Sequence, residues 1–152
     1  MLGLKIAAVF IMGAAIGVLY RIPRNVLLYA SFNGTLAWLV TYSLLQAGTN
    51  IIAAIFVGSL AIGSLSEMLA RALRKPATVF VIPGFIPLVP GREAFTTMQF
   101  LVEGRQLEAL SMGVQTLFMA GAIAFGIFVS ITVYRLSITY KLKSEFRHVD
   151  ES

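Results

Sequence analysis

The chain has no cysteine, a single histidine and a single tryptophan among its 152 residues, and only 12% of them are charged. Without cysteine there can be no disulfide and no thiolate metal site. The one histidine, His148, stands in the polar C-terminal stretch with no other ligand type clustered around it, so no metal site is expected. No Ser–His or Cys–His nucleophile can be assembled within the apolar part of the chain, and no phosphate-binding motif is present. An enzyme, or a protein with a bound cofactor, is therefore not expected.

The shortage of charge fixes the class. Globular proteins average about 25% charged residues. Here hydrophobic residues make up 58% of the chain and the mean hydropathy is +0.85, the composition of an integral membrane protein with little soluble mass. The net charge of +5 would suit nucleic acid, but the lysines and arginines sit at the ends of apolar runs, where cytoplasmic flanks of membrane helices carry them. Nucleic acid is not an expected partner; membrane lipid is.

Four apolar runs, at about 2–20, 26–46, 51–73 and 110–134, each reach the ~20 residues that span a bilayer. The first carries Lys5 and ends in GVLYRIP without a small-x-small cleavage site, so it reads as a helix and not as a secretory signal. Arg21 and Arg24 make the first connection basic, 46–50 is neutral, 71–76 is basic, and the tail over 135–152 is basic again with Arg135, Lys141, Lys143 and Arg147. The positive-inside rule then puts the first, third and last of these in the cytoplasm.

Parity requires a crossing between the third connection and the last run. That crossing falls on KPATVFVIPGFIPLVPGR, where Pro83, Pro87 and Pro90 interrupt an apolar stretch. Each proline removes a backbone donor and clashes with the preceding turn, and Ile82, Ile86 and Val89 are each pushed from helical angles. The expectation is an all-α, polytopic membrane protein of about five transmembrane helices, forming one domain over 1–152. Its fourth span, at about 77–104, is broken, and its N-terminus lies outside and its C-terminus inside. A re-entrant loop with four crossings and an inside N-terminus is the competing arrangement, and it conflicts with Arg21 and Arg24.

Broken helices at membrane depth are where transporters place substrate and ion sites, because the freed backbone groups need partners. The second half, restarting near Gly91, is expected to be amphipathic, with Phe95, Met98 and Val102 on one face and Arg92, Thr96, Gln99 and Glu103 on the other. A half-helix beginning at mid-membrane would aim its free N–H groups and positive dipole end at a ligand. The candidate substrate contacts are Pro87, Pro90 and Gly91 at the break, with Arg92, Thr96 and Thr97 just after it. Arg92 either meets an anionic substrate group, pairs with Glu93 or Glu67, or snorkels to water. Glu93 and Glu67 are candidate proton carriers; Glu67 is equally suited to pairing with Arg71 one turn on.

The remaining polar residues of the spans, Asn33, Thr35, Thr41, Ser111 and Gln115, suit either helix–helix hydrogen bonds or substrate contact. Gly13 with Gly17, Ser59 with Gly63, and Ala122 with Gly126 and Ser130 recur at four-residue spacing, which suits close helix packing within the chain or against a partner.

The stretch KPATVFVIPGFIPLVPGREAFTTM resembles the signature of the small membrane subunit of the threonine/serine exporter family. Pro87-Leu88-Val89-Pro90-Gly91 and Phe95-Thr96-Thr97-Met98 fill its Pro-rich and aromatic-Thr-x-Met places. The resemblance implies an inner-membrane secondary transporter that exports small carboxylate-bearing metabolites, either threonine and serine or dicarboxylates such as succinate. It further implies coupling to protons and a larger membrane subunit of the same family as partner. It brings no assigned binding residues with it.

Overall fold

The computed structural model describes residues 2–150, with side chains described for 2–138. Among the described residues every regular element is helical: α1 (Leu2–Leu19), α2 (Arg24–Gln46), α3 (Ile51–Ala72), α4 (Thr78–Phe85), a 3-10 turn (Ile86–Leu88), α5 (Gly91–Val102) and α6 (Gln106–Asp150). The side chains of Lys141, Lys143, Arg147 and His148 lie outside the described set.

Small residues set how the helices meet. On α1, Gly13 and Gly17 are buried against α2, and a Cβ at Gly13 would come within 3.1 Å of the Ser31 Cα. α2 turns back through a connection that Asn50 closes by accepting the Ile52 N–H at 2.8 Å, so α3 runs antiparallel to it. α3 and α6 run parallel in close contact. Phe56 stacks on Phe125, the Ser130 hydroxyl donates to the Leu60 carbonyl at 2.9 Å, and Arg135 donates to Glu67 at 2.8 Å. A Cβ at Gly126 would stand 2.8 Å from the Phe56 carbonyl, and one at Gly63 would stand 2.8 Å from the Ser130 side chain. The four-residue small spacings thus serve packing within the chain, where they let two backbones approach.

Among the described residues, three helices are long and apolar enough to cross a membrane: Leu2–Leu19, Ile51–Ala72 and Gln106–Ile138. α2 is as long as α3 but carries buried Ser31, Asn33, Thr35 and Thr41, which turn toward the bundle. Their hydroxyls spend themselves on carbonyls one turn back: Ser31 on Leu27, Thr35 on Ser31 and Thr41 on Ala37. No buried hydroxyl of α2 is therefore left to face lipid unpaired.

The proline segment departs from expectation in two ways. First, Ile82 does not leave the helix before Pro83; α4 continues through Pro83 to Phe85, and the 3-10 turn carries it to Leu88. Ile86, expected to leave the helical region before Pro87, stays in it at φ −57°, ψ −38°; only Val89 turns extended, at φ −61°, ψ 128°. Neighbours make this possible. Asn33 reaches across from α2 to donate to the Phe80 carbonyl at 3.2 Å, and the Ile86 carbonyl accepts the Val89 N–H at 3.1 Å. The Ile86 carbonyl, which Pro90 would otherwise leave without a donor, is thus satisfied, and the Asn33 bond ties the turn before Pro83 to α2.

Second, α5 does not begin at mid-bundle. Phe80 packs in a cluster with Val26, Ala30 and Ala70 where α2 starts and α3 ends, whereas Leu88 lies against Ala37 and Gly58. By Pro90 the chain has reached Leu45 and Ile51, beside the α2–α3 connection. The break therefore lies beyond the level of Ala37 and Gly58, toward that end of the bundle. α5 then runs on beyond it, beside the first part of α6, which extends from Met119 back to Gln106, about 20 Å at 1.5 Å per residue.

Candidate functional site

Around the break, residues of α2, α3, α6, the 3-10 turn and α5 line an open cavity of about 170 Å³. Its walls include Trp38, Thr41 and Leu45 of α2, Ile51 and Ile55 of α3, Met119 of α6, and Pro87 to Pro90 with Glu93. The volume is below the ~300–1,000 Å³ that drug-sized ligands occupy, on the scale of a small metabolite. The proline chemistry explains the shape. Extended Val89 swings the chain outward, Pro90 caps α5 without a side-chain acceptor, and the Gly91 N–H bonds back to the Val89 carbonyl at 2.8 Å. Glu93, in the first turn of α5, supplies the one ionisable group among the cavity's walls.

Of the residues expected from sequence, Pro87, Pro90 and Glu93 come together here. Gly91 and Arg92 are exposed beside the cavity and form no part of its wall. Thr96 and Thr97 return their hydroxyl protons to the Arg92 and Glu93 carbonyls, at 2.9 and 2.8 Å. Thr97 faces α6, where a groove of about 760 Å³ runs between the two helices past Ala94, Met98, Leu101 and Gly113. α5 therefore leans on α6 through Thr97, while Phe95, Met98 and Val102, expected together on one face, are 71%, 61% and 87% exposed.

Glu67 stands far from Glu93. It is buried near the end of α3, 5% exposed, and its partner is Arg135 of α6 rather than Arg71. Arg71 instead lies over the Tyr134 ring, 5.5 Å from its centre. The parallel α3–α6 register brings Arg135 to Glu67, a contact that i,i+4 spacing within α3 cannot reveal.

Two wall residues, Trp38 and Thr41, carry only generic signals in the sequence. Trp38 stacks on Tyr42 at 5.0 Å, and Thr41 approaches the Ala54 carbonyl at 3.4 Å besides its bond to Ala37. Deeper in the bundle, α2 and α4 meet at a close crossing. A Cβ on Gly34 would stand 2.9 Å from the Pro83 carbonyl, and one on Gly84 would stand 3.1 Å from the Asn33 amide. Asn33 also donates to Ser66 at 2.8 Å, and its own side-chain carbonyl is buried without a partner.

At the far side of α5, the turn into α6 is held by ions. Arg105 pairs with Glu103 at 3.2 Å and with Glu108. Gln99, which donates to Glu103 at 3.0 Å, and then Arg105 hold the Glu103 carboxyl below the usual carboxylate range.

The arrangement offers a small cavity with one carboxylate wall residue and a neighbouring arginine, set where a proline-bearing helix ends. Nothing in it resembles a nucleophile with its base, and among the described residues no group of His, Cys, Asp or Glu could hold a metal. No solved structure matches the chain. The sequence model for the family described as Threonine/Serine exporter, ThrE, matches residues 5–133, which takes in every helix that builds the cavity. The chain belongs to the threonine/serine exporter family.

Proposed function

We propose that the chain is the small subunit of a proton-coupled exporter of threonine and serine, and that the cavity at Pro87–Pro90 is its part of the substrate site. Five crossings carry it through the cell inner membrane: α1, α2, α3, the Thr78–Leu88 segment and α6, with the N-terminus outside and the C-terminus in the cytoplasm. A larger membrane subunit of the same family completes the transporter. If that partner supplies a related five-helix unit, the two stand in inverted topology, with the site at their interface.

The observation that carries this reading is the placement of Glu93 in the cavity wall with Arg92 next to it. A zwitterionic amino acid needs a partner for each of its charges. Glu93 would take the ammonium group and Arg92 the carboxylate, close to the free N–H groups at the start of α5. A dicarboxylate would meet ionised Glu93 with like charge, so succinate is the less suited substrate. Coupling follows from competition. The Glu93 carboxylate accepts either the substrate ammonium or a proton, so protonation from the acidic side releases the amino acid there, and deprotonation on the other side readies the site again. Glu67, buried and paired at the other end of the bundle, is the second candidate on the proton path.

The test is proton-gradient-driven uptake of labelled threonine, serine and succinate into inverted membrane vesicles. The samples hold the chain alone, the chain with its larger partner, and the pair carrying Glu93→Gln or Arg92→Ala. Threonine and serine should accumulate only with the partner, and both variants should lose uptake while still assembling. Succinate as the transported species would replace the amino-acid reading. Variants that disturb assembly alone would make the chain a scaffold, and conductance by the chain alone would make it a channel.

A further inference from the structure

Among the described residues, four helix ends close with the same backbone motif, in which a residue in the left-handed region lets two N–H groups turn back onto the last carbonyls. At the α2–α3 connection and the α5–α6 turn that residue is glycine, Gly48 at φ +83° and Gly104 at φ +76°. At the opposite end of the bundle it is arginine both times. Arg21, at φ +55°, closes α1, where Ile22 N–H bonds the Gly17 carbonyl at 2.9 Å; Arg74, at φ +52°, closes α3, where Lys75 N–H bonds Ala70 at 2.9 Å. Glycine adopts this conformation without the steric cost that arginine meets there. Neither guanidinium recovers that cost inside the molecule, since both are exposed and no ion pair or side-chain hydrogen bond among the described residues engages them.

The two arginines share one end of the bundle. Ile22, next to Arg21, and Leu73, next to Arg74, pack on one cluster made of Val26, Ala30, Ala70 and Phe80. Arg24 and Lys75 share this end, and its one described acid, Glu67, already holds Arg135. Just before Arg21, Val18, Leu19 and Tyr20 are 64%, 78% and 56% exposed. A rim of unpaired cations above exposed apolar side chains matches the chemistry of a phospholipid, whose phosphodiester takes the guanidinium forks while its acyl chains cover the apolar surface.

We propose that Arg21 and Arg74 form a headgroup site for an anionic phospholipid, and that the left-handed positions keep arginine because its side chain serves this site. The proposal rests on the chain being membrane-embedded and not on its substrate. It is tested with the purified full chain in nanodiscs of phosphatidylcholine alone, of phosphatidylcholine with phosphatidylglycerol, and of phosphatidylcholine with added inorganic phosphate. Thermal midpoints and the phosphatidylglycerol retained in native mass spectrometry are the readouts.

Phosphatidylglycerol, and not phosphate, should raise the midpoint. Arg21→Gly with Arg74→Gly should be at least as stable as the parent in phosphatidylcholine, and should lose that rise. Retention should fall about fivefold per arginine, the affinity that one basic residue near an anionic surface supplies. Arg21→Gln with Arg74→Gln should lose retention too. The equally discharged Arg24→Gln with Lys75→Gln should keep most of it. An equal loss in that control, retention unchanged in the glycine pair, or a phosphate effect matching the lipid's would each overturn the proposal.

Discussion

Asn33 of α2 donates its side-chain amide to the Phe80 carbonyl of α4 at 3.2 Å, and the same nitrogen reaches Ser66 of α3 at 2.8 Å. One buried side chain, 1% exposed, thus ties three helices at the turn that precedes Pro83. Asn33→Ala removes both of these bonds from a buried crossing and should cost about 1–3 kcal/mol. Ser66→Ala removes only a partner of that amide and should cost nearer the ~0.6 kcal/mol average of interhelical hydrogen bonds in membranes. Unfolding in detergent checks the order; an Asn33→Ala protein as stable as Ser66→Ala would show that the tie to α4 is idle.

Glycines of α6 make a second, internally controlled pair. A Cβ at Gly126 would meet the Ser59 Cβ at 2.7 Å and the Phe56 carbonyl at 2.8 Å, whereas one at Gly121 meets nothing within 4 Å. Gly126→Ala should therefore destabilise by roughly 1–3 kcal/mol, the usual cost of overpacking. Gly121→Ala should be neutral or slightly stabilising, since alanine is the better helix former. Thermal midpoints of the two variants, purified side by side, decide it.

The buried Glu67 and exposed Arg135 should respond unequally to mutation. Arg135→Ala leaves a carboxylate buried without this partner, while Glu67→Gln removes the buried charge itself. Breaking a fully buried pair costs about 3–5 kcal/mol. Because the Arg135 side chain is 64% exposed, a smaller loss of roughly 1–3 kcal/mol is expected for Arg135→Ala. Glu67→Gln should cost less, and the double variant should resemble Glu67→Gln. Equal costs for the two single changes would place Glu67 in contact with water.

The absence of native cysteine makes topology directly measurable. With five crossings, Thr49→Cys should react with an impermeant thiol reagent from outside intact cells, and Lys75→Cys only after the inner face is exposed. The reverse pattern, Lys75→Cys reacting from outside and Thr49→Cys only from inside, would favour the four-crossing arrangement with an inside N-terminus, and reaction of both from one side would remove α3 as a crossing.

What could be read from the residues alone was what depends on local spacing. Gly13 with Gly17, and Ser59 and Gly63 with Gly126 and Ser130, announce close packing because four-residue spacing puts small side chains on one helix face. The apolar runs gave helices α1, α2 and α3 close to their observed bounds, whereas α6, expected at 110–134, runs from Gln106 to Asp150 because the helix continues past its apolar part into the basic stretch. What was not legible depends on partners distant in sequence. Pro83 looks like a helix breaker until Asn33, 47 positions from Phe80, supplies a donor beside it. Glu67 looks set to pair with Arg71 until the parallel α3–α6 register delivers Arg135. The level at which α5 begins was hidden for the same reason, since it follows from how far α4 and its 3-10 turn climb along α2. At the site, Glu93 and the prolines stood out by type, whereas Trp38 and Thr41 join them only through the fold.

The most direct measurement is substrate protection at the break. Val89→Cys, whose side chain is 46% exposed and lines the cavity, would be introduced together with a separate Gly121→Cys control on the outer side of α6. Labelling by a small thiol reagent would be followed in membranes containing the larger subunit. Threonine and serine should slow labelling at Val89→Cys and leave Gly121→Cys unchanged, and Glu93→Gln should abolish the protection. Labelling of Val89→Cys that neither amino acid alters, in membranes that do transport them, would contradict a substrate site at this cavity.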